Sequence, residues 1–254
     1  MKKLLAITAL SAALFFGQTA AAEEKAAEEV KPSHVEMVLV LDESGSMSDL
    51  TRDTIGGFNS MIEKEKKLDV DAHVTTVLFN DQYKMLYNRR ELKDVSKMTD
   101  KDYTPGGMTA LLDAVGRTIH KMDMVAGIHR KDKGNKVLFV IITDGEENDS
   151  KEYTYADVKK LIKDRQENAG WEFIFLGANI DAAAEAENLG IDRDRAVKYK
   201  NTGSGVRANF MAVAELSDSL AKSGRVSDRW KETVEKDEDD AADKQSAAVT
   251  SHRR

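Results

Sequence analysis

The chain has 254 residues, contains no cysteine and carries a formal net charge of −7 at pH 7. This length leaves room for one large α/β domain with extensions rather than two full domains, and the lack of cysteine excludes both a disulfide-stapled domain and a lipid-modified lipoprotein. The negative charge disfavours binding to nucleic acid or to an anionic membrane surface.

The first 22 residues have the features of a secretory signal peptide. Lysines at positions 2–3 give a positive start, an apolar stretch covers 4–16, and alanines at 20–22 supply the small residues of a cleavage site. An uncleaved membrane anchor is the alternative, but about 13 apolar residues fall short of the roughly 20 needed to span a bilayer. We therefore expect an exported protein, periplasmic or extracellular, with a solvated linker at 23–33.

From about residue 34 to residue 225, apolar runs alternate with amphipathic helical patterns, which predicts βαβ units and a mainly parallel sheet in an α/β domain. Strands are predicted at 35–41, 72–79, 83–88, 136–142, 171–176 and 196–199. The first, fourth and fifth are continuously apolar and should form the middle of the sheet, covered on both faces. The second and third are separated by only a short turn at Asn80, so 83–88 should be an antiparallel edge strand.

Helices are predicted where apolar residues recur with helical spacing. The stripes are Ile55, Phe58 and Ile62; Leu111, Val115, Ile119 and Met122; Val158, Leu161 and Ile162; and Val206, Phe210, Val213 and Leu220. Gly170 and Gly190 follow helical stretches at positions suited to left-handed C-caps. Beyond Val226 the apolar pattern stops, and an acidic run at 235–240 predicts a disordered tail over 226–254, with some helix up to Val234 as an alternative.

Three short motifs at predicted strand or helix boundaries carry oxygen ligands. They are Asp42-x-Ser44-x-Ser46, Thr109 after two glycines, and Asp144 in Thr-Asp-Gly. Loops that leave the carboxyl ends of neighbouring parallel strands converge, so these five side chains should meet. Two carboxylates and three hydroxyls favour Mg²⁺ or Mn²⁺, with Ca²⁺ as an alternative, and the lack of imidazole or thiolate disfavours zinc and copper.

The small number of carboxylates in this set indicates what the ion would do. Neutral hydroxyl ligands leave the ion electrophilic and able to accept a carboxylate from outside, whereas a storage site would collect more acidic ligands. The sequence thus favours a non-catalytic, metal-dependent module that binds an acidic residue of a protein partner. The simpler alternative is that Asp42, Ser44 and Ser46 only cap a helix or stabilise a turn.

The order of these motifs resembles that of the von Willebrand factor type A domain, also called the integrin inserted domain, over about residues 34–222. The phrases at 54–59, 75–79 and 171–179 are similar to a compact bacterial branch of that family. The resemblance implies a doubly wound, mainly parallel six-stranded sheet of order 3-2-1-4-5-6 and a metal-ion-dependent adhesion site. It also implies that the three hydroxyls contact the metal while Asp42 and Asp144 act mostly through bound waters.

Two other functions remain open at this stage. An exported assembly or scaffold factor would use the same surface. A metal-dependent phosphoester hydrolase would need a carboxylate nucleophile, a general acid and a basic clamp on the phosphate, and no lysine or arginine lies within the three motifs. A further hypothesis concerns the acidic tail, in which Asp237 to Asp240 could offer an internal carboxylate to the ion. The simpler interpretation is that this tail only increases solubility.

Several other polar residues have two alternative roles each. Glu146 either orients a metal-bound water or is a solvated loop residue. Asp113 either hydrogen-bonds the loop glycines or faces solvent, and solvent is slightly favoured. The histidines at 34, 73, 120, 129 and 252 show no pairing at metal-ligand spacing, so we expect them to be structural or exposed. Gly203-Ser204-Gly205 is interpreted as a plain helix start rather than a phosphate loop.

Overall fold

A computed structural model of the chain describes residues 34–67, 71–125, 135–227 and 229–237. The predicted signal peptide, the predicted linker and the tail beyond residue 237 lie outside these residues. Within the described part, no helix is both long and apolar enough to cross a membrane.

Six strands form one sheet in the order β3-β2-β1-β4-β5-β6. The strands are β1 (His34–Asp42), β2 (Ala72–Phe79), β3 (Tyr83–Glu91), β4 (Asn135–Thr143), β5 (Glu172–Gly177) and β6 (Ala196–Lys198). Every neighbouring pair is parallel except β2 and β3, which a short turn joins in antiparallel fashion. The predicted doubly wound sheet with one antiparallel edge strand is therefore confirmed.

Helices cover both faces of the sheet. They are α1 (Thr51–Glu65), α2 (Leu111–Asp123), α3 (Tyr155–Asp164), α4 (Ala182–Leu189) and α5 (Gly203–Ser223). Successive residues of a strand point to opposite faces, so Val35 and Met37 lie in the core beneath α1 and α5, while Val38 and Val40 lie in the core beneath α2, α3 and α4. This burial on both faces explains why β1 is apolar at consecutive positions.

The predicted left-handed C-caps are confirmed. Gly170 and Gly190 have φ angles of 69° and 88°, in the region that an L-amino acid with a side chain rarely adopts. At Gly190 an added Cβ would also lie only 3.0 Å from the side chain of Lys159 on α3. Both glycines therefore end helical segments just before the chain returns towards the sheet.

The ordered chain continues further than the predicted boundary at residue 226. Val226, Trp230 and Val234 are buried in the same core as α1 and α5, and a short helix covers 232–237. These three residues are spaced four apart, which is the spacing of one helical face. The acidic and basic residues between them dilute the mean hydropathy and hide the pattern. The described residues of this segment, 226–227 and 229–237, thus pack onto the domain, as the alternative of some helix up to Val234 allows.

The interface between α1 and α5 contains a buried carboxyl group that can be tested. Glu65 accepts a hydrogen bond of 2.6 Å from Ser217 through Oε2, while Oε1 has no partner among the described residues. Burial raises the pKa of Glu65 to about 7, with a smaller contribution from the negative charge of Asp218. The folded protein thus holds the Glu65 proton to a higher pH than the unfolded chain does.

This pKa shift predicts a pH-dependent effect of Glu65→Gln on stability. As the pH rises from about 4.5 to about 7, the unfolded chain ionises first, so Glu65 progressively destabilises the wild-type fold. Glu65→Gln should therefore raise the free energy of unfolding at pH 8 by about 1–3 kcal/mol, and this gain should vanish near pH 4. Urea denaturation across this pH range measures the effect. Exposed Glu63→Gln is the control, and parallel curves for wild type and Glu65→Gln would contradict the prediction.

Candidate metal centre

Asp42 ends β1, and its carboxylate is held in place by hydrogen bonds. Oδ1 accepts from the backbone N–H of Ser44 at 2.7 Å, and Oδ2 accepts from the Thr143 hydroxyl of the neighbouring strand at 2.6 Å. The backbone carbonyl of Asp42 accepts from the buried Tyr103 hydroxyl at 2.6 Å. Because one neighbour lies on the adjacent strand, the end of β4 fixes the orientation of the Asp42 carboxylate.

Ser44 and Ser46 lie where the chain turns from β1 into a 3₁₀ segment, Gly45–Leu50, that leads into α1. Their hydroxyls are 3.0 Å apart. Ser44 is buried, whereas Ser46 is exposed. The pair therefore reaches from the interior of the sheet edge to the solvent.

The segment that carries Thr109 is anchored to both of the other loops. The carbonyl of Gly107 accepts from the N–H of Gly45 at 3.2 Å, and the N–H of Thr109 donates to the side chain of Asn148 at 2.8 Å. Gly107 has a φ of 76°, and a Cβ there would overlap the carboxylate of Asp81. Only glycine fits this close approach, which accounts for the glycine at position 107.

Asp144 follows β4 and is the second buried carboxylate. Its Oδ1 accepts from the Ser46 hydroxyl at 2.5 Å, and Oδ2 accepts from the Asn201 amide at 3.3 Å. A Cβ built on the next residue, Gly145, would lie 3.7 Å from the Thr109 hydroxyl and 3.9 Å from the Ser46 hydroxyl. Both hydroxyls thus lie over the same glycine, so all five predicted ligand residues gather at one end of the sheet.

The charges of this cluster fit a bound cation. Asp42 and Asp144 are each 1% exposed, and their side chains contact hydroxyl and amide groups but no lysine or arginine of the described chain. Burial raises the pKa of Asp42 to about 6, and the charge of Asp144 adds to the shift. Buried carboxylates are normally paired or bound to a metal. The all-oxygen donor set fits a hard divalent ion.

The structure also shows residues that sequence reasoning missed or misjudged. Asn201, immediately before the N-cap of α5, was not anticipated as a partner of Asp144. Asp113, for which solvent was favoured over hydrogen bonds to the loop glycines, is buried and accepts hydrogen bonds of 2.9 Å from three consecutive backbone N–H groups at 151–153. Glu146 is exposed. Gly203 starts α5, as predicted, and Thr202 is the N-cap of this helix.

The sheet order and the loops gathered at its edge define a von Willebrand factor type A domain. A family model described as a von Willebrand type A domain found in the C terminus of TerF matches residues 34–198. The chain therefore belongs to this TerF-like von Willebrand type A family. A comparison with curated proteins finds no match.

Solved structures share the fold at low sequence identity. The von Willebrand domain of the type V pilus tip protein Mfa5 from Porphyromonas gingivalis is 14% identical with a TM-score of 0.55, covering 78% of this chain and 99% of that one. A D319A mutant of the PilB minor pilin from Streptococcus sanguinis is 13% identical with a TM-score of 0.52, covering 74% and 62%.

A third similar structure is proximal thread matrix protein 1 from the mussel byssus, with zinc in its metal-ion-dependent adhesion site. It is 14% identical with a TM-score of 0.50, and the match covers 73% of this chain but only 46% of that one. This chain thus spans less than half of the mussel protein. At such identities the comparisons establish the fold, and von Willebrand type A domains are usually binding or adhesion modules.

Proposed function

We propose that this protein is an exported, non-catalytic binding module that uses a divalent cation to engage a glutamate or aspartate of a protein partner. Ser44, Ser46 and Thr109 contact the ion, and Asp42 and Asp144 hold it mostly through bound waters. Mg²⁺ or Mn²⁺ suits the donor set better than Ca²⁺, because hydroxyls outnumber carboxylates. The signal peptide over 1–22 directs the domain out of the cytoplasm.

One observation carries this proposal: two buried carboxylates with no basic partner in the described chain lie beneath an exposed hydroxyl. Asp42 and Asp144 supply two negative charges, which balance the charge of one divalent ion. The remaining donors are neutral, so the ion keeps its attraction for an external carboxylate. Ser46 is exposed, which leaves the ion approachable from solvent.

An assembly role is the second candidate, and a specific observation favours it. Two of the similar structures come from a pilus tip protein and a minor pilin, which are parts of surface polymers. A domain that bridges subunits of such a polymer would use the same cation and the same surface. By contrast, phosphoester hydrolysis has little support, because none of the described hydrogen bonds or ion pairs of the five ligand residues involves the basic clamp that a phosphate needs.

Affinity capture with the purified, immobilised chain tests the proposed function. The cell-envelope and secreted fractions are applied in the presence of Mg²⁺, and retained proteins are eluted with EDTA and identified. We expect a partner that EDTA releases, that excess free glutamate weakens and that the Asp42→Ala variant does not retain. Substitution of one acidic residue of that partner by its amide should abolish capture, because the metal then loses its sixth ligand.

The matched control is Glu146→Gln, an exposed carboxylate two residues from Asp144. It should capture the same partner as the wild type does. Capture that is indifferent both to EDTA and to Asp42→Ala would overturn the proposed function. If the captured partner is a subunit of a surface polymer, the assembly role is the correct version of the proposed function.

A further inference from the structure

A second group of metal-ligating side chains lies at the start of β1, at the opposite end of the sheet from Asp42. His34 and Glu36 are two residues apart on β1 and thus point to the same face. The strand register pairs Glu36 with His73 of β2. The register therefore brings together two histidines that are 39 positions apart in sequence.

The three side chains converge on one point. His34 Nε2 lies 2.8 Å from Glu36 Oε1 and 2.9 Å from His73 Nδ1, and the third side of this triangle, from His73 Nδ1 to Glu36 Oε1, is 3.7 Å. A circle through three points at these separations has a radius of about 1.9 Å. An ion slightly out of their plane would thus lie about 2.0–2.1 Å from each atom, which is typical of Zn²⁺ with nitrogen and oxygen ligands.

An outer carboxylate sets the orientation of the His34 ring. Asp71 Oδ2 lies 3.2 Å from Nδ1 of His34, on the side of the ring away from the cluster. When Nδ1 carries the ring proton and donates a hydrogen bond to Asp71, Nε2 presents a lone pair towards His73 and Glu36. Metal-binding histidines commonly have such a carboxylate on the second ring nitrogen, because it fixes the tautomer.

Glu36 is held in a comparable way by Arg89 of β3. The Nε atom of Arg89 donates to Oε2 at 3.1 Å and to Oε1 at 3.0 Å, and a terminal nitrogen also contacts Oε1. The Glu36 side chain is 4% exposed, and that of His73 is 24% exposed. The carboxylate is therefore buried and oriented, while the His73 side leaves access for an ion and a water ligand.

We propose that His34, Glu36 and His73 form a second metal site that binds one Zn²⁺-like transition-metal ion, with water in the remaining position. Two imidazole nitrogens and one carboxylate oxygen suit Zn²⁺ and disfavour Mg²⁺, which prefers oxygen ligands. The site is separate from the oxygen-only cluster at Asp42. Because its ligands come from β1 and β2, a bound ion ties these strands together where the described domain begins.

A competing interpretation uses the same contacts without a metal. Burial lowers the pKa of His34, but the contacts with Glu36 and Asp71 outweigh it and hold this pKa above its usual value. In that case a charged His34 simply forms ion pairs with both carboxylates. Arg89 also places a positive charge 3.4 Å from Nδ1 of His73, so it should weaken binding of any cation. The two interpretations predict opposite results in a titration.

The test is a calorimetric titration of the full chain with ZnCl₂ in excess Mg²⁺, which competes with Zn²⁺ for the oxygen-only cluster at Asp42. We expect one equivalent of Zn²⁺ to bind and, at a free concentration of about 100 times Kd, to raise the unfolding midpoint by about 5–10 °C. His73→Gln and His34→Gln should each weaken binding by about 100-fold, since each removes a ligand.

Two controls separate this site from other sources of Zn²⁺ binding. Exposed His120→Gln should bind like the wild type. Asp144→Asn should do so too, so this result stands even if the oxygen-only cluster at Asp42 binds no ion. His73→Gln changes a partly exposed side chain, and its fold is checked by circular dichroism. No Zn²⁺ binding in wild type, or binding that is unchanged in folded His73→Gln, would overturn the proposal in favour of the ion pairs.

Discussion

Asp144→Asn is expected to weaken Mg²⁺ binding strongly while leaving the domain folded. In wild type, Mg²⁺ at about 100 times its Kd should add about 2.7 kcal/mol to the free energy of unfolding. The variant keeps the shape of the side chain but removes one of two buried negative charges that balance the ion. We expect its Mg²⁺ affinity to fall by about 100-fold, as in sites where a supporting carboxylate is lost. Thermal unfolding with and without Mg²⁺ measures how much the ion stabilises the wild type and the variant.

The metal-free forms supply a second check on the same residue. Without an ion, Asp42 and Asp144 are two buried carboxylates that lack a basic partner in the described chain. Removing one charge relieves this repulsion, so Asp144→Asn without Mg²⁺ should be at least as stable as wild type without Mg²⁺. Glu146→Gln, which changes an exposed carboxylate nearby, should keep the full response to Mg²⁺. An undiminished Mg²⁺ response in folded Asp144→Asn would contradict the assignment of the site.

The sheet could be predicted from sequence because its signals are local. A buried strand needs apolar residues on both faces, and 37–41 and 137–142 satisfy this within a few residues. The short turn at Asn80 likewise permits only an antiparallel neighbour. The gathering of Asp42, Ser44, Ser46 and Asp144 followed from strand order, because parallel strands present their carboxyl ends at one edge. Thr109 joins them from the segment just before α2.

Contacts between segments that are distant in sequence could not be predicted from local signals of this kind. Asp113 has the sequence of an exposed helix residue, yet the loop at 151–153 folds over it and donates three backbone hydrogen bonds. His34 and His73 become neighbours only through the register of β1 against β2. Register depends on the packing of a whole strand, so no local spacing between the two histidines reveals it.

Substitution of Trp230, near the end of the described domain, is expected to have the largest effect on stability. Trp230 is 1% exposed and belongs to the core beneath α1 and α5. Its segment is attached to α5 by hydrogen bonds from the N–H of Ser227 to the Ser219 hydroxyl at 3.2 Å and from Thr233 to Glu215 at 3.2 Å. These contacts hold the segment in place, but burial of the indole supplies most of its stabilising free energy.

Trp230→Ala should therefore lower the free energy of unfolding by about 3–5 kcal/mol, a large part of the about 5–15 kcal/mol typical of a domain. Urea denaturation followed by the fluorescence of Trp171, which is itself buried, measures this change without relying on the residue replaced. Met211→Ala on α5 is the control, because Met211 is 52% exposed and its loss should cost no more than about 0.5 kcal/mol. A disordered tail from residue 226 would instead make Trp230→Ala as mild as this control. Equal midpoints for the two variants would show that the domain ends at α5.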